Sequence, residues 1–490
     1  MARQYLRGGD RALSEHTNVL VIMTDEQQAA ALSCAGHPLV KTPNLDRLAE
    51  RGVRFSNAYT PSPICVPARA AFATGQYVHD IGFWDNALAY DGLPRSWGHS
   101  LQSAGVAPVS VGKLHYRNAE DDTGFAAQIA PLHILDGVGQ VWGSVRDPLP
   151  EEPRSPNMLG GIGPGQSKYN SYDEEVAERC AARISGADPK TPWMMFASFV
   201  APHFPLIVPQ RYLDLYPAAD MPLPSLRPGE SCTLHPWLAR MSAYHDPDQV
   251  LRDDAERRLA IACYYALCTF VDELIGKLLS ALEKSGQTGN TMVIFTSDHG
   301  EMLGERGRWG KSTLYGESTR IPMILAGPGV PEGHVSKTPV SLLDAVPTIA
   351  QAMGVEPERA WVGTSLLDLI AKGEDPERCV FSEYHAVASP SAGFMLANAR
   401  WKYHEYVGYP PELFDLDADP GETRNLADDP GHAEVLAQMR RGLRKICDPE
   451  ETDRAAKADQ NALVARFGGV DAALDIGPKG ASPVPARESK

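Results

Sequence analysis

Two uninterrupted apolar runs, each ending on acidic residues, organise the chain: NVLVIMTDE at 18–26 and NTMVIFTSDHG at 290–300. Val, Ile, Met and Phe without polar alternation is the pattern of a strand buried on both faces of a parallel sheet. Ligands of such sheets gather beyond the carboxyl ends of the strands, so Asp25, Glu26, Asp298 and His299 are expected along one edge. Further strands are predicted at PVSVG (108–112), WMMFASFV (193–200), PMILAG (322–327) and CVFSEYH (379–385). Helical periodicity alternates with them. TPNLDRLAERG carries Thr42 as a predicted N-cap, Pro43 at the first helical position and Gly52 past the last turn. From Asp253 to Lys284 the apolar positions Leu259, Ala262, Ala266, Phe270, Leu274, Leu278 and Leu282 recur at helical spacing. A third helix follows Cys65, with Pro67 in its first turn and Gly75 as its stop.

This alternation predicts an α/β fold: a large, mostly parallel sheet sandwiched by helices over residues 1–375. From 376 to 450 the pattern changes to short strands and turns, AGFMLANARWKYHEYV then ELFDLDADPGETRN, which predicts a smaller α+β subdomain with a short antiparallel sheet. Residues 451–490 begin helical and finish in GPKGASPVPARESK, an expected extended arm that favours a homo-oligomer. The segment 117–170, rich in Gly, Pro, Asp and Asn, reads as a long connection covering an active site.

Composition narrows the function. With 490 residues the chain can hold one large α/β domain and an appendage. Its formal charge of −16 argues against nucleic acid or an anionic membrane as partner, so any cationic site is local. The apolar run before Asp25 is short and preceded by charges, unlike a secretory leader, and no uncharged apolar stretch approaches membrane length, so a cytoplasmic location is expected. The eight cysteines are scattered without a CxxC pair, as suits buried thiols in a reducing compartment.

One cysteine stands apart. In PSPICVPARAAFATG the Cys65 side chain is predicted at a helix N-terminus, where free N–H groups and the dipole favour negative charge. Cys65-Val66-Pro67-Ala68-Arg69 resembles the CxPxR signature of the type I sulfatases in the alkaline phosphatase superfamily, with Ala68 where Ser is commonest. GVAPVSVGKLH (105–115) resembles the second signature of that family, with Pro108 in place of Ser or Thr, and carries Lys113 and His115. VAPHFP supplies His203, TSDHGEMLGERG supplies Asp298 and His299, Lys311 lies twelve residues past His299, and GFWDN supplies Asn86. The similarity runs from Asn18 to about Leu426.

The resemblance implies an alkaline phosphatase-like fold and hydrolysis of a sulfate monoester. It implies that Cys65 is converted by a formylglycine-generating enzyme to an aldehyde whose hydrate is the nucleophile. It places Asp25, Glu26, Asp298, His299 and residue 65 around one divalent metal, calcium first, with manganese or magnesium as alternatives. Hard cations take carboxylates, and an imidazole suits a softer ion. Arg69 would neutralise charge at the metal. Lys113, His203 and Lys311 would hold sulfate oxygens, one of the last two protonating the leaving oxygen. His115 would be the base that releases sulfate, and Asn86 would bind substrate or orient a neighbour. Two alternatives remain: a phosphonate monoester or phosphodiester hydrolase of the same superfamily, and a non-catalytic oxyanion binder with an unmodified thiol. Retention of Lys113 and His115, where phosphonate hydrolases tend to carry Tyr and Thr, favours sulfate. Trp84, Trp142, Trp309, Arg146 and His133 are candidates for the substrate pocket.

Overall fold

Strand Asn18–Asp25 lies inside an eight-stranded sheet, flanked by the parallel strands Met194–Pro202 and Thr291–Ser297. Across the sheet the order is His334–Ser336, Gly52–Phe55, Met323–Ala326, Thr291–Ser297, Asn18–Asp25, Met194–Pro202, Val109–Lys113 and Ala127–Leu132. The computed structural model describes residues 17–154, 158–188, 190–478 and 482–485, so the charged N-terminal stretch and the end of the arm lie outside the described residues. All eight strands run one way except Met323–Ala326, which is antiparallel to both neighbours. The mostly parallel sheet is the one expected.

Both faces are covered, which explains the unbroken apolar runs. Leu20 and Ile22 pack toward helices Lys168–Gly186 and Asp254–Lys284, while Val19, Val21 and Met23 face helices Cys65–Thr74, Trp97–Ser103 and Ala345–Ala352. Asp254–Lys284 has the length and apolarity of a membrane-crossing helix, and here its apolar residues are buried in the core against strand Met194–Pro202 and helix Lys168–Gly186.

Several local expectations are corrected. Gly52 does not merely stop a helix; it opens the strand Gly52–Phe55, where its missing Cβ lets the backbone of Leu325 and Ala326 approach. Thr42 does not cap helix Pro43–Glu50, because its hydroxyl is taken by Ser33. The cap comes from across the fold, where the Asp272 carboxylate accepts from Asn44 N (3.1 Å) and Leu45 N (2.9 Å). Removing it in Asp272→Ala is expected to cost about 1–3 kcal/mol, because two helix N–H groups lose a charged acceptor. A lower urea midpoint at constant slope would report it, and an unchanged midpoint would contradict it. The connection 117–170 is not only a cover, since it contains the edge strand Ala127–Leu132.

Strand Val380–Tyr384 belongs to a second sheet, pairing antiparallel with Gly393–Ala397, then Trp401–Tyr406 and Glu412–Asp415. Helix Ala433–Leu443 packs on it through Met439 and Leu443. Helix Pro449–Arg466 follows, and the described part of the arm turns back onto its own chain. Trp142 Nε1 donates to Pro478 O (3.1 Å), and the Tyr169 hydroxyl donates to Ser482 O.

Candidate functional site

Four adjacent strands end at one edge of the sheet, and each end carries chemistry. Thr291–Ser297 leads into Asp298 and His299, Asn18–Asp25 into Glu26, Met194–Pro202 into His203, and Val109–Lys113 into His115. Strand register slips between Met23 and Asp25 and between Val111 and Lys113, where the neighbouring strands Met194–Pro202 and Ala127–Leu132 carry the extra residues. Glu26 (φ 67°), His115 (φ 59°) and Ser312 (φ 84°) sit in the left-handed region beside the site, where side-chain-bearing residues store strain.

Helix Cys65–Thr74 points its N-terminus at this edge. Cys65 occupies its first turn, Gly75 ends it in the left-handed conformation, and Asn86 Oδ1 accepts from Val66 N (3.1 Å). Cys65 Sγ lies 3.1 Å from His299 Nε2 and 3.8 Å from Asp25 Oδ1. Burial first, and then Asp25, push its thiol up to about 12, so it is protonated near neutrality and a weak nucleophile.

Asp25, Cys65, Asp298 and His299 bring one ligand atom each within 4.8 Å of one another, and all four are buried. His299 Nδ1 donates to Gly300 O (3.0 Å), which leaves the Nε2 lone pair facing the cluster, 3.9 Å from Asp25 Oδ1 and 3.7 Å from Asp298 Oδ1. A carbonyl-fixed tautomer with its free nitrogen aimed at two carboxylates is the arrangement of a metal-ligating imidazole. The donor set therefore fits a divalent cation. Glu26 sits apart from this cluster, grouped with Asp25 and His203, and its Oε2 engages Lys311 Nζ at 3.1 Å. Burial, opposed by Lys311, raises the Glu26 carboxyl well above its usual range.

Arg69, one helical turn beyond Cys65, holds the carboxylates in place. Its Nε donates to Asp298 Oδ2 (2.8 Å), Nη2 to Asp25 Oδ2 (3.1 Å), and Nη1 to Lys113 O (2.9 Å) and Ser198 Oγ (3.0 Å). Lys113 Nζ reaches Asp25 Oδ2 at 2.5 Å. Burial favours a neutral Asp25, but Lys113, Arg69 and Lys311 outweigh it and hold the carboxyl well below its usual range. Lys311 is buried too, and Glu26 and Asp25 nevertheless keep it charged. It donates to His203 Nε2 (2.8 Å), while His203 Nδ1 donates to Phe204 O (2.7 Å). His203 is thus a neutral imidazole, in agreement with the downward shift that burial and Lys311 impose. His115 is likewise driven down by burial and Lys113, and its Nε2 lies 2.8 Å from Ser482 Oγ.

Cys65, Asn86, Lys113, His115, His203 and Lys311 all line one cavity. Of the pocket candidates, Trp142 and Trp309 line it, Trp309 while donating to Asp248. The other three do not. Trp84 is tied to Asp459, Arg146 to Gln460 and Asp453, and His133 to Gln128. Sequence reasoning missed His245, Arg308 and Ser482, which also line the cavity. Arg308 alone carried a signal, a second cation between Asp298 and Lys311 in ERGRWGKS.

This geometry agrees with the comparisons. The Sulfatase family model matches residues 17–355, and the model for the N-sulphoglucosamine sulphohydrolase C-terminal region matches residues 304–448. A choline-sulfatase of Rhizobium meliloti is 32% identical, covering 84% of this chain and 83% of its own. Arylsulfatase K of Danio rerio is 29% identical over 89% of this chain and 84% of its own. The crystal structure of a phosphonate monoester hydrolase of Agrobacterium radiobacter superposes with a TM-score of 0.73 at 24% identity, covering 88% of this chain and 95% of that one, which shows a shared fold.

Proposed function

Because the chain belongs to the sulfatase family, it hydrolyses sulfate esters, and we propose that its substrate is a small organic monoester processed at Cys65 after oxidation to formylglycine. The observation that supports this is the convergence of Cys65, Lys113, His203 and Lys311 on one cavity, with Cys65 also belonging to the buried Asp25, Asp298 and His299 ligand set. Hydrated formylglycine supplies a hydroxyl nucleophile at position 65, and a divalent cation, calcium in our reading, supplies positive charge beside the ester.

The chain's own residues perform the rest. Arg69 fixes both metal-side carboxylates so that they do not have to reorganise as charge develops. Lys113 and Lys311 bring two cations to the sulfate oxygens, and Lys311, charged and bonded to the neutral His203, is placed to give its proton to the leaving oxygen. His115, neutral and at the cavity wall, is placed to take a proton when sulfate is released. Asn86 acts by holding the helix N-terminus, since its carbonyl oxygen is committed to Val66 N. Glu26 as a direct metal ligand remains part of the proposal, with its Lys311 contact as the competing use of that carboxylate.

The reading is tested with enzyme co-expressed with a formylglycine-generating enzyme. Aryl, choline, alkyl and sugar sulfates are assayed beside phosphonate monoesters, before and after chelation. Sulfate release with the highest kcat/KM, its loss on chelation, and restoration by calcium ahead of manganese and magnesium are expected. A higher kcat/KM for phosphonates would overturn the sulfate preference, and full activity after exhaustive chelation would overturn the metal.

A further inference from the structure

The two lysines that line this cavity each have a carboxylate beside them. Lys113 rests on Asp25 and Lys311 on Glu26. Arg308 is the exception. Its side chain lines the same cavity and is 2% exposed, yet among the described residues it makes no ion pair. One guanidinium nitrogen donates to the carbonyl oxygen of His245, and Nε is buried without a hydrogen-bond partner. Asp246 acts on it only at a distance, and burial pulls its pKa down to about 10, a value that still leaves it charged. A buried guanidinium without a counter-ion is a costly arrangement that a protein keeps when something else supplies the negative charge.

The surroundings are built like a subsite. Trp142 lines the cavity beside it, stacked at 17° on His245 with ring centroids 6.5 Å apart, and Arg154 lies over the indole at 4.5 Å. His245 Nδ1 is also buried without a partner. An apolar lining that includes Ile134, Phe204 and Val387 next to an unpaired cation suits a ring that carries an acidic substituent.

We propose that Arg308 is a specificity residue that binds a second anionic group of the substrate, a carboxylate or a second sulfate, on the same small ring-bearing molecule whose sulfate ester faces Cys65. This deepens the proposed function and rests on it. It also disfavours cationic substrates such as choline sulfate, whose ammonium would share the cavity with this guanidinium.

The test uses the Cys65→Ala chain, which binds without turnover, and reads Kd by calorimetry. Meta-carboxyphenyl sulfate and resorcinol bis-sulfate are compared with meta-carbamoylphenyl sulfate, which has the same shape as the first but no second charge. One or both dianions are expected to bind roughly 10- to 100-fold more tightly than the amide, the range of a charge-assisted hydrogen bond, and the tighter one identifies the group. Adding Arg308→Met should bring the ratio near one, and Arg308→Lys should keep part of it. Equal affinity for charged and uncharged probes in the Arg308 chain would overturn the proposal without any reference to how the variants fold, and a preference surviving in Arg308→Met would do the same. Sulfate release by the matured Cys65 enzyme is measured separately. Its absence alongside an intact preference would remove the hydrolase reading while supporting the subsite.

Discussion

Replacing Cys65 with alanine lowers kcat for sulfate release by about a millionfold, the scale on which loss of a catalytic nucleophile acts, with little change in fold. The site supports this expectation more strongly than the sequence motif does. Cys65 sits at the meeting point of two carboxylates, an imidazole and two lysines, where a nucleophile at position 65 would face both the ligand set and the cations that hold the sulfate. Cys65→Ser separates the two halves of the reaction. A serine hydroxyl keeps one oxygen at that position but has no second hydroxyl to expel the ester, so one turnover and then arrest is expected. Intact-protein mass spectrometry after incubation with substrate should show a mass gain of one SO3 on the serine variant and none on the alanine variant. Steady turnover by the alanine variant would exclude residue 65 as the nucleophile, and steady turnover by the serine variant would exclude the need for a second hydroxyl there.

The parts of this site that were legible in the sequence share one physical cause. Strands buried on both faces need continuous apolar side chains, and their carboxyl ends must then carry whatever polar groups the fold presents, so Asp25, Glu26, Asp298 and His299 announce themselves as polar residues closing apolar runs, whereas Lys113 and His203 were legible through the family resemblance. Cys65 and Arg69 were legible through the resemblance to the CxPxR signature, and the helix that Gly75 stops puts them one turn apart. The direction of Met323–Ala326 was not, because an apolar tetrapeptide is compatible with either pairing. Nor was the strand at Gly52, where the glycine that stops a helix and the glycine that admits a neighbouring backbone look alike. The cap on helix Pro43–Glu50 was hidden for a related reason. Thr42 satisfies the local rule, but Asp272, remote in sequence, offers a charged acceptor to two N–H groups and leaves Thr42 to Ser33. His245, Arg308 and Ser482 come from separate loops and the arm, and only the packed chain brings them to one cavity.

The second large effect is expected at Arg69, where the fold and the site depend on the same side chain. Its guanidinium joins Asp25, Asp298, the carbonyl of Lys113 and the hydroxyl of Ser198, and so links the ends of four adjacent strands to helix Cys65–Thr74. Burial opposes its charge, and the two carboxylates more than restore it. Arg69→Leu removes the cation and leaves two buried carboxylates facing each other, with Lys113 as the remaining direct partner of Asp25. Breaking a buried pair in this way costs about 3–5 kcal/mol, because the abandoned charges stay desolvated. The chelated protein should therefore unfold at a clearly lower denaturant concentration, and a divalent cation, which supplies charge between the same carboxylates, should recover more stability in the variant than in the parent chain. Arg69→Lys is expected to restore only a fraction, since an ammonium cannot match the planar fork that reaches both carboxylates and two further acceptors. Equal denaturation midpoints for the Leu variant and the parent, both chelated, would show that Arg69 does not bind the site together.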